Sequence, residues 1–297
     1  MTAQVTREGT WRDRTERWPA AMVEHPGWWL DGTGCWRRLL LSPGAVWLAV
    51  ATPRPDGGHE VALDLIEGEP GNEPDVDVVD PAELTTHGSR LGEELLAAGP
   101  VARIRTGELW EALVGAIFRC TMPLERARTV YRNAAKALGM GHDTPVGRDW
   151  VFPGPSMVLE LEADVFDVCG LGEIRDRLRT AAWVARVLES RRLTVPWYQL
   201  ATVLAPVPGI GALIAGAAVA DLSGDFRLLP PTDFLVRRRV RALDPSAWPE
   251  GVVDFGARWQ AMTGTERSTW TVLVLARQTA ARTSCGDGGT ADWTALC

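Results

Sequence analysis

The pattern of apolar and polar residues divides the chain into a front part with strand-like runs and a longer back part with helical spacing. Three apolar-rich runs occupy residues 35–41, 45–52 and 60–66, and Ser-Pro-Gly and Pro-Asp-Gly-Gly sequences separate them. Turn-forming residues between short apolar runs are typical of antiparallel strands. The front part, residues 1–90, is therefore predicted to hold a small antiparallel β-sheet, with residues 1–30 as an irregular lead-in.

A polar segment at residues 68–81 follows the predicted sheet. It is acidic at Glu69, Glu73, Asp75, Asp77 and Asp80. We interpret this segment as a linker that marks a domain boundary.

Apolar residues with helical spacing follow the linker. They recur at residues 91–98, 109–120, 124–138, 174–191, 197–205, 255–262 and 266–277. Such spacing is typical of helices that bury one face, and the run at 109–120 is apolar enough to be a central buried helix. The predicted fold class is α+β, with a mainly helical domain at residues 91–278 and a loose tail at 279–297.

A short turn separates two of the predicted helices. It consists of Pro208, Gly209, Ile210 and Gly211, and no charged residue follows until Asp221. Glycines allow a tight turn and leave the amides at the start of the next helix uncovered, where the helix dipole favours an anion. The sequence therefore predicts a helix-hairpin-helix whose turn binds a DNA phosphate.

The net charge of −7 is unevenly distributed along the 297 residues. Residues 1–95 hold 8 Lys and Arg against 17 Asp and Glu, whereas the rest of the chain holds 23 against 21. Arg237 and Arg239 belong to a basic run after the hairpin, which we predict to contact DNA. A solvated helix face is the alternative interpretation of this run.

The sequence offers no pattern for a membrane span, a secretion signal or a metal site. The five cysteines form no Cys-x-x-Cys pair, and we expect the four histidines, His25, His59, His87 and His142, to be surface or loop residues. The first twenty residues are charged rather than apolar. We expect a cytoplasmic protein without metal or other cofactor.

An acidic residue stands at a fixed distance beyond the hairpin. Asp233 follows a Leu-Pro-Pro-Thr loop and precedes a helix that begins Phe-Leu-Val-Arg. Hairpin, loop, aspartate and basic helix together resemble the helix-hairpin-helix DNA glycosylase superfamily, and within it bacterial 3-methyladenine DNA glycosylase II. The resemblance spans about residues 90–278. It implies a monomeric enzyme acting on duplex DNA that contains a modified base.

Asp233 is the candidate catalytic residue. Cleavage of the bond between base and deoxyribose requires that the nucleotide leave the stack. The sugar then becomes cationic, and a fixed carboxylate beside it stabilises that charge and orients the attacking water. Asp233 also suits the N-cap of the following helix, and the two roles are compatible because capping would fix the carboxylate.

The sequence departs from the resembled family at two functional positions. The family places a Gln or Asn and then a residue that plugs the gap left by the flipped base where this chain has Arg119-Cys120-Thr121-Met122. The plug role therefore passes to Thr121 or Met122. Members that also cut the strand carry a Lys where this chain has Leu213. A Schiff base cannot form there, so the resemblance implies a monofunctional glycosylase.

The base pocket implied by the resemblance also differs. Ala217 and Leu275 stand where the relatives have an aromatic residue and a Trp, so we expect an enlarged pocket with weaker stacking. Trp270 is a candidate for an alternative aromatic wall. A bulky adduct or a hypermodified base of foreign DNA is one alternative substrate. A catalytically inactive DNA-binding module is the alternative from another class.

Overall fold

The structure is a computed structural model that describes residues 16–18, 20–55, 59–84, 89–190 and 195–277. His87 and the predicted tail at residues 279–297 lie outside these ranges. The described residues form an α+β fold, which confirms the predicted class. Their strands in chain order are β1 (Glu16–Trp18), β2 (Ala20–Ala21), β3 (Trp29–Leu30), β4 (Trp36–Ser42), β5 (Ala45–Pro53), β6 (His59–Gly68), β7 (Val76–Val79), β8 (Val101–Ile104), β9 (Gly141–Thr144) and β10 (Gly147–Trp150).

The front part contains a five-stranded antiparallel sheet. Its strand order is β1-β6-β5-β4-β3, and β4, β5 and β6 coincide with the three predicted apolar runs. Leu40, Leu48 and Ala49 of the central strands are almost completely buried, because both faces of the sheet are covered there: Leu40 and Ala49 pack in one apolar cluster and Leu48 in another. The predicted irregular lead-in was wrong in part, since it contributes β1, β2 and β3.

A second, three-stranded sheet joins the front part to the helical part. Its order is β2-β8-β7, with β2 parallel and β7 antiparallel to β8. The segment predicted as a linker therefore contains a strand, β7. The strand tolerates its acidic residues because Asp77 lies opposite Arg103 of β8 and pairs with it at 2.8 Å.

Eleven helices occupy the described residues beyond the front sheet. They are α1 (Arg90–Ala98), α2 (Leu109–Thr121), α3 (Leu124–Leu138), α4 (Pro155–Glu160), α5 (Ala163–Val168), α6 (Arg175–Ser190), α7 (Trp197–Leu204), α8 (Gly211–Ser223), α9 (Phe234–Leu243), α10 (Val252–Thr263) and α11 (Arg267–Ala276). None of these helices combines the length and apolar composition that a bilayer crossing needs. The predicted helices, including the second helix of the hairpin and the helix after Asp233, correspond to nine of these eleven, and α4 and α5 were not predicted.

Helix α2 is the centre of the helical part. Every residue from 110 to 118 is buried, and the helix packs against α6 and α8. A helix that is apolar on all sides is stable only inside a protein, so the predicted central helix is confirmed. Its last turn carries Arg119, which contacts Asp233.

Candidate active site

The turn between α7 and α8 has the backbone that its glycines predict. Gly209 and Gly211 adopt φ angles of +84° and +66°, a region that other residues rarely occupy. Ile210 between them is buried and anchors the turn. The side chain of Arg177 in α6 passes beside the turn, because a Cβ added at Gly209 would lie 3.5 Å from its Cγ. The sequence analysis missed this cation, which becomes a neighbour of the turn only through folding.

The loop before Asp233 is held against α8. A Cβ added at Gly216 would lie 2.3 Å from the carbonyl oxygen of Leu228 and 3.0 Å from Pro230, so only glycine permits this approach. The backbone amide of Asp233 then donates to the carbonyl of Pro230 at 3.0 Å. Close packing of helix and loop therefore fixes where α9 begins.

Asp233 is the N-cap of α9, and its side chain is buried. Its Oδ1 accepts a hydrogen bond from the amide of Val236 at 3.0 Å, and the residue is 4% exposed. A capping carboxylate satisfies one of the free amides of the first turn and interacts favourably with the helix dipole. The cap thus fixes one carboxylate oxygen and leaves the other, Oδ2, for a second partner.

That second partner is Arg119 at the end of α2. Its Nη2 donates to Asp233 Oδ2 at 3.2 Å, and the two side chains are 8% and 4% exposed. Burial acts to lower the pKa of Arg119, but the charges of Asp233, Asp221 and Glu24 raise it overall. The guanidinium therefore remains charged beside the candidate catalytic carboxylate.

Sequence analysis missed this role for Arg119. A basic residue in the last turn of a helix commonly interacts with the helix dipole at the surface. Arg119 directly follows residues 110–118, whose apolar pattern leaves the helix no solvent-facing side. This pattern could have indicated that Arg119 is buried as well.

Arg239 does not fit the DNA contact predicted for it. Its guanidinium points into the protein, where it pairs with Glu24 at 2.5 Å and donates to the carbonyl of Leu275. Arg239 lies three residues after the buried Val236 on α9, so the helix turns it towards the core. Arg237 lies on another side of α9, part-exposed, with its guanidinium 5.9 Å from the Phe234 ring.

The predicted pocket residues belong to the hydrophobic core. Ala217, Trp270 and Leu275 are 3%, 0% and 0% exposed, and Leu213 packs against the same core with part of its surface exposed. In this structure a flipped base would have no access to the three buried side chains. The enlarged pocket therefore remains a prediction without a visible opening at these residues.

The two predicted plug residues do not project from the surface. Thr121 is part-buried, and its hydroxyl donates to the carbonyl of Ile117 at 2.6 Å within α2. Met122 is 5% exposed and packs in the core. Entry of either side chain into a duplex would require the end of α2 to rearrange.

Two of the histidines were placed wrongly. His25 and His142 are both 6% exposed, whereas His59 begins β6 and is part-buried. Nδ1 of His25 accepts from the amide of Gly27 at 2.9 Å, and Nε2 lies 3.3 Å from the carbonyl oxygen of Glu111. The described residues contain no group of three or more His, Cys, Asp or Glu that could hold a metal ion.

The comparisons with known proteins identify the fold. No protein-family model matches the chain, and no curated protein is significantly similar to it in sequence. Among solved structures, a 3-methyladenine DNA glycosylase from Archaeoglobus fulgidus superposes with a TM-score of 0.60 at 17% identity, covering 84% of this chain and 89% of that chain. An 8-oxoguanine glycosylase/lyase from Clostridium acetobutylicum gives 0.60 at 11% identity, covering 86% and 90%.

The Clostridium enzyme bound to double-stranded DNA with cytosine opposite 8-oxoguanine gives a TM-score of 0.53 at 13% identity, covering 85% and 88%. At these identities the likeness establishes the fold of the chain, which is that of DNA glycosylases. The specific likeness to bacterial 3-methyladenine DNA glycosylase II stays a prediction.

Proposed function

We propose that this protein is a monofunctional DNA glycosylase that hydrolyses the bond between a modified base and its deoxyribose. The observation that carries the proposal is Asp233, a buried carboxylate fixed at the start of a helix that follows a glycine hairpin, within a glycosylase fold. The enzyme would act as a monomer on duplex DNA. Its products are a free base and an abasic site.

Asp233 supplies the electrostatic part of the reaction. The bond between C1′ and the base nitrogen breaks, and its electron pair leaves with the base. Oδ2 of Asp233 faces the positive charge that develops on the sugar, which a fixed carboxylate in a water-poor site stabilises strongly. A water molecule then bonds to C1′ and gives one proton to Asp233, which releases it to solvent. A base that leaves as an anion takes up a proton from solvent at its ring nitrogen.

DNA would approach the hairpin side of the helical part. The turn at Gly209 and Gly211 exposes backbone to a phosphate without the obstruction of a Cβ. Arg177 beside the turn and Arg237 on α9 add positive charge for further phosphates. Phosphate contacts hold the protein on the duplex but do not read the base.

A strand-cutting step is not expected, because the residues it would need are elsewhere. Leu213 occupies the position where a Schiff-base lysine would stand according to the resemblance. Lys136 is the only lysine of the chain, and it lies exposed on α3 with its ammonium 5.6 Å from the Trp150 ring. Water is therefore the proposed nucleophile.

The proposal is tested by the product that the protein leaves. Duplexes that each carry one modified base are incubated with the protein, and abasic sites are detected as breaks after alkaline treatment. We expect breaks only after alkali and no covalent protein–DNA adduct when borohydride is present. Breaks without alkali, together with efficient borohydride trapping, would show a lyase; no abasic site on any duplex would contradict glycosylase activity.

A further inference from the structure

The Arg119 guanidinium is only partly satisfied by the protein. Its Nη2 contacts Asp233, but its Nε is buried and has no hydrogen-bond partner among the described residues. Buried donors without partners cost free energy, and Nε of Arg37, Arg38, Arg128 and Arg267 is in the same state. Arg119 differs from those four because its spare N–H donor lies beside the candidate catalytic carboxylate, so a base that enters the opened site would bring an acceptor within its reach.

Anchoring Asp233 does not require this arginine. The cap bond from Val236 already fixes Oδ1, and the protein buries a permanent cation in contact with Oδ2. In the proposed reaction a cation at this place works against stabilisation of the positive sugar. The presence of the cation is explained if its positive charge stabilises the leaving base rather than the sugar.

The charge on the leaving base decides whether a cation helps. A purine alkylated at N7 or N3 is cationic in DNA and leaves as a neutral molecule. A neutral base takes the bonding electron pair with it, so negative charge develops on its ring nitrogens and keto oxygens. A buried guanidinium near the base repels the first kind of substrate and stabilises the departure of the second.

We propose that Arg119 is a specificity-determining residue that selects neutral, keto-bearing modified bases over cationic alkylated purines. The inference rests on the proposed function and names its substrate class. Because the base is bonded to the carbon that Asp233 faces, a guanidinium in contact with Asp233 lies close to the base edge. Its planar N–H groups match the adjacent oxygen and nitrogen acceptors of a keto purine.

The test measures the ratio between the rates at which cationic and neutral bases are released. A purely structural role for Arg119 would leave this ratio unchanged. Single-turnover base release is compared between methylated DNA, which supplies N7-methylguanine and N3-methyladenine, and duplexes that carry 8-oxoguanine, hypoxanthine or uracil. We expect wild-type protein to release at least one of the neutral bases and to favour it over the cationic ones. Arg119→Gln should shift this ratio at least about tenfold towards the cationic bases.

Two variants serve as controls. Arg119→Lys keeps a positive charge but loses the planar N–H groups, so it should still favour neutral over cationic bases, by a smaller ratio than the wild type. Arg126→Gln removes a charge from an exposed pair with Glu173 and should leave the ratio unchanged. A wild-type preference for cationic bases, or an unchanged ratio in folded Arg119→Gln, would overturn the inference while leaving glycosylase activity in place.

A binding measurement decides the inference even if no base is released and the proposed function fails. One duplex carries 2′-fluoro-N7-methylguanosine, which is cationic and resists cleavage, and a matched duplex carries neutral 2′-fluoroguanosine. The wild type should bind the neutral probe more tightly, and Arg119→Gln should reduce that preference. Equal binding of both probes by the wild type, or tighter binding of the cationic one, would overturn the inference.

Discussion

Two buried arginines, Arg103 and Arg119, differ in how many hydrogen bonds the protein makes to them. Arg103 of β8 is 2% exposed; it pairs with Asp77 at 2.8 Å and donates to the carbonyls of Ala220 and Asp221 at 3.2 and 2.5 Å. Its guanidinium also lies 4.8 Å from the Phe226 ring. Arg119 makes one 3.2 Å hydrogen bond to Asp233 and keeps a buried Nε without a partner among the described residues.

The difference separates a structural arginine from one available to a ligand. Arg103 donates through Nη1 to Asp77 of β7 and through Nη2 to the end of α8, so it joins β8 to both elements. Arg119 is buried with fewer hydrogen bonds, and the one it makes goes to the candidate catalytic carboxylate. Incompletely satisfied polar groups in a folded protein are typical of sites that a substrate completes.

The largest expected effect comes from the carboxylate that Arg119 contacts. Asp233→Asn keeps the cap acceptor of α9 but removes the negative charge, so base release should fall on the order of 10³-fold. DNA binding should stay the same or tighten, because the charge acts mainly in the transition state. Abasic-site formation and DNA affinity are measured on the same preparation.

The matched control for this variant is Asp77→Asn, which alters a carboxylate partner of Arg103 instead. It should lower stability modestly and leave the rate per folded molecule unchanged. If Asp233→Asn kept most of the activity, Arg119 and Asp233 would be a structural pair like the one at Arg103.

The second prediction compares the arginines directly through the free energy of unfolding. Arg103→Gln breaks a buried set of several hydrogen bonds and should cost about 3 kcal/mol. Arg119→Gln removes one hydrogen bond and relieves the burial of a cation but leaves the buried Asp233 carboxylate with its cap bond alone, so it should cost about 2 kcal/mol. Urea unfolding of both variants and the wild type gives the two values. Equal losses would remove the distinction between the two sites.

The smallest expected effect is a loss of stability at acidic pH. His25 lies against α2, and burial first, then the charges of Arg38 and Arg119, hold its pKa well below the usual value. The unfolded state therefore takes up a proton near pH 6.5 that the folded state refuses. Stability should fall as the pH drops from 7 to 5.5, by about 1 kcal/mol.

Variants show which residues cause this pH dependence of stability. His25→Gln should remove most of the loss between pH 7 and 5.5. Arg119→Gln should reduce it, because one of the charges that lowers the pKa of His25 is gone, whereas Arg103→Gln should leave it unchanged. A wild-type unfolding free energy that stayed constant over this range would show that His25 takes up its proton in the folded state.

The features that the sequence predicted are those that neighbouring residues determine. Strands β4 to β6, helix α2 and the turn at Gly209 and Gly211 follow from local spacing and from residues with special backbone freedom. The N-cap position of Asp233 was predicted because it depends on residues next to it in the chain. These elements need no knowledge of distant partners.

The errors concern side chains whose role depends on a partner far along the chain. Arg239 was grouped with Arg237 by sequence, although residues two apart face different sides of a helix. Arg239 stands three residues after the buried Val236, which indicated the inward direction, but Glu24 as its partner is 215 residues away. The pocket role of Ala217 stays a prediction, because α8 is apolar on all sides and its sequence does not indicate which face borders a pocket.

Strand β8 imposes an order on how this protein can fold. Strands β2 and β7 both bond to β8, so their sheet cannot form before the chain is complete through Ile104. The hydrogen-bond partner of Arg103, Asp221, follows 118 residues later. Closing such distant contacts is slow, because the loop entropy is lost before the contacts form. A fragment that ends at residue 90 would therefore lack the strand that completes its second sheet, and during synthesis Arg103 would lack its α8 partner until residue 221 has emerged.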